Sequence, residues 1–171
     1  MSRKFIAASS QYFENGAAIL TAAPITMACW FQVVAVNVDN ILMTQSTVDT
    51  FNHKFQMHVQ GSDTFLHAET QSTTTATAIT TVSPKIGVWN HGCAVFASIS
   101  SRSIYLNGGN KVTDSTSKTP TAPNRTLFGA QYSGAGTKAG FLDGFMAEAA
   151  IWNIDLTDGE VANAVAHMAN A

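Results

Sequence analysis

The residues able to do chemistry in this chain are eleven Asp and Glu, five His and two Cys, and their spacing decides which can act together. Asp143 and Glu148 are the carboxylates of the apolar closing segment, but they are five positions apart. An odd interval on a strand sends side chains to opposite faces. Retaining glycoside hydrolysis needs two carboxyls about 5 Å apart, so this pair would serve only if a bulge intervened. Asp155, Asp158 and Glu160 crowd the start of a helical pattern, where acidic groups favour the positive end of the dipole, and read as capping. His53, His58 and His67 lie on neighbouring strand-like runs. His67 stands opposite His58 in one hairpin register only, with no Cys or carboxylate converging to complete a tetrahedral metal site. His91 and His167 have no acid at nucleophile–base spacing. Cys29 and Cys93 sit inside the apolar runs TMACWFQVV and HGCAVFASI, and read as reduced core thiols rather than a disulfide. The expectation is a chain with no catalytic residue, no metal site and no cofactor.

The elements that would position these residues are mostly strands. ITMACWFQVVAV puts Ile25, Met27, Cys29, Phe31, Val33 and Ala35 on one face, the pattern of a central strand. NILMTQS, KFQMHVQ and TFLHAET follow at short intervals, the last two joined by Gly61-Ser62-Asp63 as a hairpin. TQSTTTATAITTV is rich in β-branched Thr with almost nothing apolar to bury, and reads as a solvated or edge strand. VWNHGCAVFASIS is a further buried strand, SRSIYLNGGNKV a hairpin turning at Asn107-Gly108, and RTLFGAQY one short strand. DSTSKTPTAPN is a surface loop. GFMAEAAIWNI closes the strand series, and Thr157 to Glu160 then spells T-D-G-E, a capping box with Leu156 and Val161 as its hydrophobic staple. Val161, Val165 and Met168 form the stripe of a short C-terminal helix. About ten strands and one helix predict an all-β chain, a two-sheet antiparallel sandwich in one domain over 1–171.

Composition narrows the function. Charged residues are 12% of the 171, roughly half the usual share, and the formal net charge is −2. Arg3-Lys4 is the only adjacent basic pair, so there is no stripe for a nucleic acid to follow. No signal-peptide core forms at the start and no apolar run is long enough to span a membrane. Trp30, Trp89 and Trp152 could stack on sugar rings, but each lies in a buried-looking run and reads as core. Asn124-Arg125-Thr126 is a glycosylation sequon without a secretion signal beside it.

Trp30-Phe31, then Trp89 with His91, then Tyr105 with Asn107-Gly108, then Trp152-Asn153 through Leu156-Thr157 to Glu160 follow one another in an order that resembles the laminin G-like jelly-roll domains of the concanavalin A-like lectin/glucanase superfamily. The resemblance covers nearly the whole chain and implies a jelly-roll sandwich. Two departures bear on function. Family members often carry Gly-x-Ile-Asp-Glu on the closing strand, where this chain has Gly144-Phe145-Met146-Ala147-Glu148, so the Asp is missing and calcium held by backbone carbonyls and scattered Asp is only a minor alternative. Glycanases of this fold carry a Glu-x-Asp-x-Glu strand, which is absent here.

The charge-poor surface suits packing against protein. Beginning at Met1 without a signal, the chain reads as a free-standing module made in a cytoplasm, and such small chains resemble phage structural proteins. The leading expectation is a non-enzymatic virion component, a capsid decoration or cement protein that binds the major capsid protein and itself as a homo-oligomer, a trimer by shell geometry. Thr73, Thr75 and Thr77 are its candidate contact residues. The alternative is a carbohydrate-binding or adhesion module presenting Gly134-Ala135-Gly136 and Asn107 to Asn110 to a glycan.

Overall fold

Ile25, Met27, Cys29, Phe31 and Val33 give one face of the run an apolar row while Thr26, Ala28, Trp30 and Gln32 share the other, and such a run has one face to bury and one to cover by other means. The structure, a computed structural model, describes residues 2–48, 51–134 and 136–168, with residues 167 and 168 by their backbone only. Fourteen strands are present in it: β1 (Ser2–Phe5), β2 (Phe13–Asn15), β3 (Ile25–Val33), β4 (Asn40–Ser46), β5 (Lys54–Val59), β6 (Leu66–Gln71), β7 (Thr75–Ile79), β8 (Asn90–Ser98), β9 (Ser101–Leu106), β10 (Gly109–Asp114), β11 (Arg125–Phe128), β12 (Gln131–Gly134), β13 (Thr137–Ala139) and β14 (Gly144–Trp152). The helix α1 (Asp158–Met168) follows. Two six-stranded antiparallel sheets result, ordered β1-β14-β3-β8-β9-β10 and β2-β11-β4-β5-β6-β7, with β12 and β13 paired apart from both.

The sheets pack face to face. Met27, Phe31, Phe96 and Ile104 of the first sheet meet Met43, Phe55, Met57 and Leu66 of the second in one core. Phe55 and Phe96 bridge the layers edge-to-face at 5.3 Å. Truncating such a ring to Ala costs about 3 to 5 kcal/mol, which is what holds the second sheet in register over the first. One flank is closed by Arg102 of β9, fully buried, whose Nε donates to Thr70 Oγ1 on β6 at 3.0 Å while Asp114 pairs with its guanidinium.

The two outer faces are treated differently. On the first sheet Ala28, Cys93 and Tyr105 are covered by α1 and its approach, through Trp152, Leu156 and Val161. Thr157 and Glu160 form the expected capping box: Thr157 N–H donates to Glu160 Oε2 at 2.7 Å and Glu160 N–H returns to Thr157 Oγ1 at 3.4 Å. Leu156 and Val161 close the staple in the same cluster. Val165 is half-buried; the side chains of His167 and Met168 lie outside the described residues.

Several expectations need correction. RTLFGAQY is two strands, because Gly129 takes φ 81° between them and any Cβ there would meet the Phe5 ring at 2.8 Å. The short strands β1, β2 and β13 were not expected at all. The Thr-rich β7 does bury an apolar row, Ala76 and Ala78. None of the three Trp residues is in the core between the sheets: Trp89 precedes β8 and is 42% exposed, while Trp30 and Trp152 are half-buried on the outer face of the first sheet. Cys29 and Cys93 are free, and they face opposite sides of the first sheet, Cys29 into the main core and Cys93 under α1. Burial raises both thiols, Cys93 to about 12, so neither is a nucleophile at neutral pH.

Candidate functional site

The outer face of the second sheet is polar, and strand register assembles it into rows. Ser46 pairs with Lys54, Lys54 with Gln71, and Gln71 with Thr75. The next row runs Thr44, Gln56, Glu69, Thr77, and a third runs Ile41, His58, His67, Ile79. On the opposite face of the same strands Phe55, Met57, Ala68 and Ala78 enter the core, so one alternation makes both surfaces.

The β12–β13 hairpin lies over one side of this face. It arrives there because β11 stops at Gly129 and the chain turns back onto its own sheet. Gly140, at φ 64°, lets the hairpin settle: a Cβ there would stand 2.5 Å from Ile41 Cγ1. Gln131 of β12 then accepts a 2.6 Å hydrogen bond from Lys54 Nζ. Glu69 Oε1 lies 3.1 Å from the same ammonium, and the Phe51 ring sits 3.9 Å from it. Burial lowers the Lys54 pKa and Glu69 opposes the shift. The face opens toward β7, where Glu69, Thr77 and Ile79 are half-buried and Thr75 is exposed.

Within these rows four polar atoms are buried without a hydrogen-bond partner: Ser46 Oγ, Gln56 Oε1, His58 Nδ1 and Gln71 Oε1. Their chemistry can be read from what their other atoms do. Gln60 Nε2 donates to Asp39 Oδ1 at 3.0 Å, so its oxygen faces His58 and accepts from Nε2 at 2.9 Å. Burial lowers the His58 pKa to about 4, so the ring is neutral and its Nδ1 is a bare acceptor. Gln71 Nε2 donates to Asn52 Oδ1 at 2.9 Å, leaving its oxygen as an acceptor. The cradle therefore offers three lone acceptors and one hydroxyl. Each such buried group left unmade costs about 1 to 3 kcal/mol, a cost a donor-rich ligand would remove only by displacing the side chains that cover it, since each atom has less than 1 Å² of accessible surface.

The residues singled out from sequence are spread over the fold. Thr75 and Thr77 end two of the cradle rows on β7, an edge strand, and Thr73 is exposed in the turn before it. Thr157 and Glu160 are at the helix start, as described. His58 and His67 do take the opposing register, ring centroids 5.0 Å apart, but His67 Nε2 is engaged by Asp63 Oδ2 at 2.9 Å. Among the described residues no three His, Cys, Asp or Glu gather as a metal-binding group. The β14 bulge that would unite Asp143 and Glu148 exists, yet Glu148 is exposed at φ 51° and Asp143 lies before the strand, its backbone bonded to Asn40 and Val34. Ala135 of the Gly134-Ala135-Gly136 loop is outside the described residues, and Asn107-Gly108 turns against Ala162 and Val165 of α1. Ser46, Gln56, Gln71 and Gln131 were missed. Their only signal in sequence was polar residues alternating with Phe, Met and Val.

A family profile described as the concanavalin A-like lectin/glucanases superfamily matches residues 7–162. No curated protein matches the chain. Solved structures do. The CBM40 of the Ruminococcus gnavus IT-sialidase, bound to α2,3-sialyllactose, aligns with TM-score 0.69 at 12% identity, over 96% of this chain and 98% of that one. The native heptameric SAP-like pentraxin of Limulus polyphemus gives 0.67 at 15%, over 90% and 75%. Domain 4 of AbnA, a GH43 extracellular arabinanase from Geobacillus stearothermophilus, in complex with arabinotriose, gives 0.64 at 16%, over 88% and 70%. At such identities the likeness is one of fold. With the order of its strands and the profile in agreement, the chain belongs to the concanavalin A-like lectin/glucanases superfamily.

Proposed function

We propose that the protein is a non-catalytic binding module whose outer polar face on the second sheet takes a neutral saccharide. The observation that carries this reading is the group of four unpartnered polar atoms on β4, β5 and β6. Three are acceptors and want donors, which sugar hydroxyls supply. A carboxylated sugar fits poorly, because its oxygens would face those acceptors while Lys54 is already engaged by Glu69 and Gln131. Two of the similar structures hold an oligosaccharide, which supports the class of ligand without identifying it. Calorimetry with neutral oligosaccharides, arabinotriose among them, tests it against α2,3-sialyllactose. Saturable binding of a neutral sugar, lost in Gln56→Leu and Gln71→Leu, is expected. Silence toward every neutral sugar would sink the reading.

A second reading is a virion component, a decoration protein on a phage shell. It is favoured by β7, the last strand of the second sheet, where Thr73 and Thr75 are exposed. Such an edge suits a protein seam. Co-sedimentation with undecorated shells separates this reading from the first.

A further inference from the structure

The flank opposite Arg102 is open. There β1 ends the first sheet and β2 ends the second, so each has an edge with no strand beside it. Between them runs a groove of about 590 Å³, lined by Phe5, Phe13, Phe128 and Met146 with Arg3 and Glu148 on its rim. Phe5 and Phe13 meet edge-to-face at 5.7 Å across its floor, and Phe13 is still 50% exposed. The contrast with the other flank is physical. There Arg102 ties β9 to β6, and Lys118 Nζ reaches Thr74 Oγ1 at 2.6 Å. Here no polar bridge joins β1 to β2 among the described residues.

Charge decides what fits. Arg3 pairs with Met146 across β1 and β14, an inward register position, and its guanidinium stands 5.4 Å from the Phe13 ring. Lys4 turns to the outer face, over Phe145 at 6.0 Å. Neither has a carboxylate partner among the described residues. A second copy added edge to edge in either central antiparallel register would set Arg3 against itself or Lys4 against itself, and like charges directly opposite destabilise a strand pair. Glu148, past Ala147 at the β14 bulge, disfavours a carboxylate at that end of the groove only.

We propose that this seam accepts an extended acidic segment of another protein, laid along the free edge of β1 with alternate apolar side chains in the groove and a carboxylate opposite Lys4 on the outer face. Main-chain pairing supplies the affinity in this mode, and the groove selects the alternate side chains. The site is separate from the polar face of the second sheet and stands whether or not that face binds sugar.

The probe is a fluorescently labelled, acetylated heptapeptide of alternating valine and aspartate, with an alternating valine and lysine peptide as its counterpart. Anisotropy is expected to show saturable binding of the first, with the second about tenfold weaker or more, and Lys4→Glu is expected to cost the first a similar factor. Thr75→Lys, on the opposite flank, should leave that binding unchanged. Methylating alternate backbone nitrogens of the probe should abolish binding for one of the two possible sets, the set that faces β1. Equal binding of the acidic and basic peptides overturns the proposal, as does indifference to Lys4→Glu, to both methylation sets, or absence of saturable binding.

Discussion

His58 and His67 stand opposite each other on β5 and β6, ring centroids 5.0 Å apart, yet they live in different surroundings. His67 has the Asp63 carboxylate at 2.9 Å, whereas His58, nearly fully buried, has one neutral amide oxygen and a bare Nδ1. The pair thus shows how the polar face is built: charged groups are paired, as Lys54 is with Glu69, and neutral acceptors are left unpaired beside them.

That arrangement makes stability depend on acid. Burial holds His58 and His91 to about 4, below the 6.5 of a free imidazole. Between those values the unfolded chain binds a proton that the folded one refuses, so stability falls as pH drops from about 6.5 to 4. Each group contributes up to about 3 kcal/mol to that loss. Chemical denaturation at pH 7 and pH 4.5 should show it, and His58→Gln should remove about half of the histidine-linked part. A pH dependence identical in the variant would mean that His58 is protonated in the fold.

The corner before α1 gives a second test. Removing the Thr157 hydroxyl leaves Glu160 N–H unpaired in the capping box, so Thr157→Ala should lower stability by about 1 kcal/mol. The helix covers Cys93, so thiol labelling of Cys93 should also quicken. No change in either would place the helix start elsewhere.

The capping box was legible in sequence because four consecutive residues carry all of it. So was β3, where Ile25, Met27, Cys29, Phe31 and Val33 at every second position leave one reading. β1 and β2 were not, since four and three residues are too few to show a period and their order comes from Phe5 and Phe13 meeting across the sheets. The polar face was hidden for another reason. Lys54, Gln56 and His58 look like any solvent side of a strand until Gly129 turns the hairpin over them and register lines them up with Ser46 and Gln71.

Binding and stability should trade against each other on that face. Gln56 Oε1 is buried and unpartnered, so Gln56→Leu should leave stability unchanged or raise it by about 1 kcal/mol while removing saccharide binding. A destabilised variant that still binds sugar would show that the oxygen is satisfied in the fold and idle in recognition.

Glu148 is the one closing-strand carboxylate that invites a catalytic reading. It is exposed in the left-handed region at φ 51°, with Asp143 outside the strand. The protein is expected to release no reducing ends from laminarin or agarose, and Glu148→Gln to change nothing in that assay. Glu148→Gly should stabilise slightly, by about 0.5 kcal/mol, because glycine takes this backbone region without strain. Turnover abolished by Glu148→Gln would make the protein a hydrolase.

The last prediction concerns β7 and separates the two readings of function. Thr75 lies exposed on the last strand of the second sheet, and Thr77 sits opposite Glu69 at the open side of the polar face. Lysine at edge positions blocks strand addition, since a neighbouring strand would have to bury the ammonium. Replacing both Thr75 and Thr77 by Lys should therefore weaken self-association or shell binding if β7 is a protein seam. The fold should survive, because both side chains point away from the core that Ala76 and Ala78 enter. Mass by light scattering and co-sedimentation with undecorated shells report the seam, and calorimetry with neutral oligosaccharides reports the polar face. A wild-type protein that is monomeric at every concentration and ignores shells, yet binds sugar, would remove the virion reading and leave the saccharide module. Oligomers dispersed by the double substitution, with no sugar bound by either form, would do the reverse.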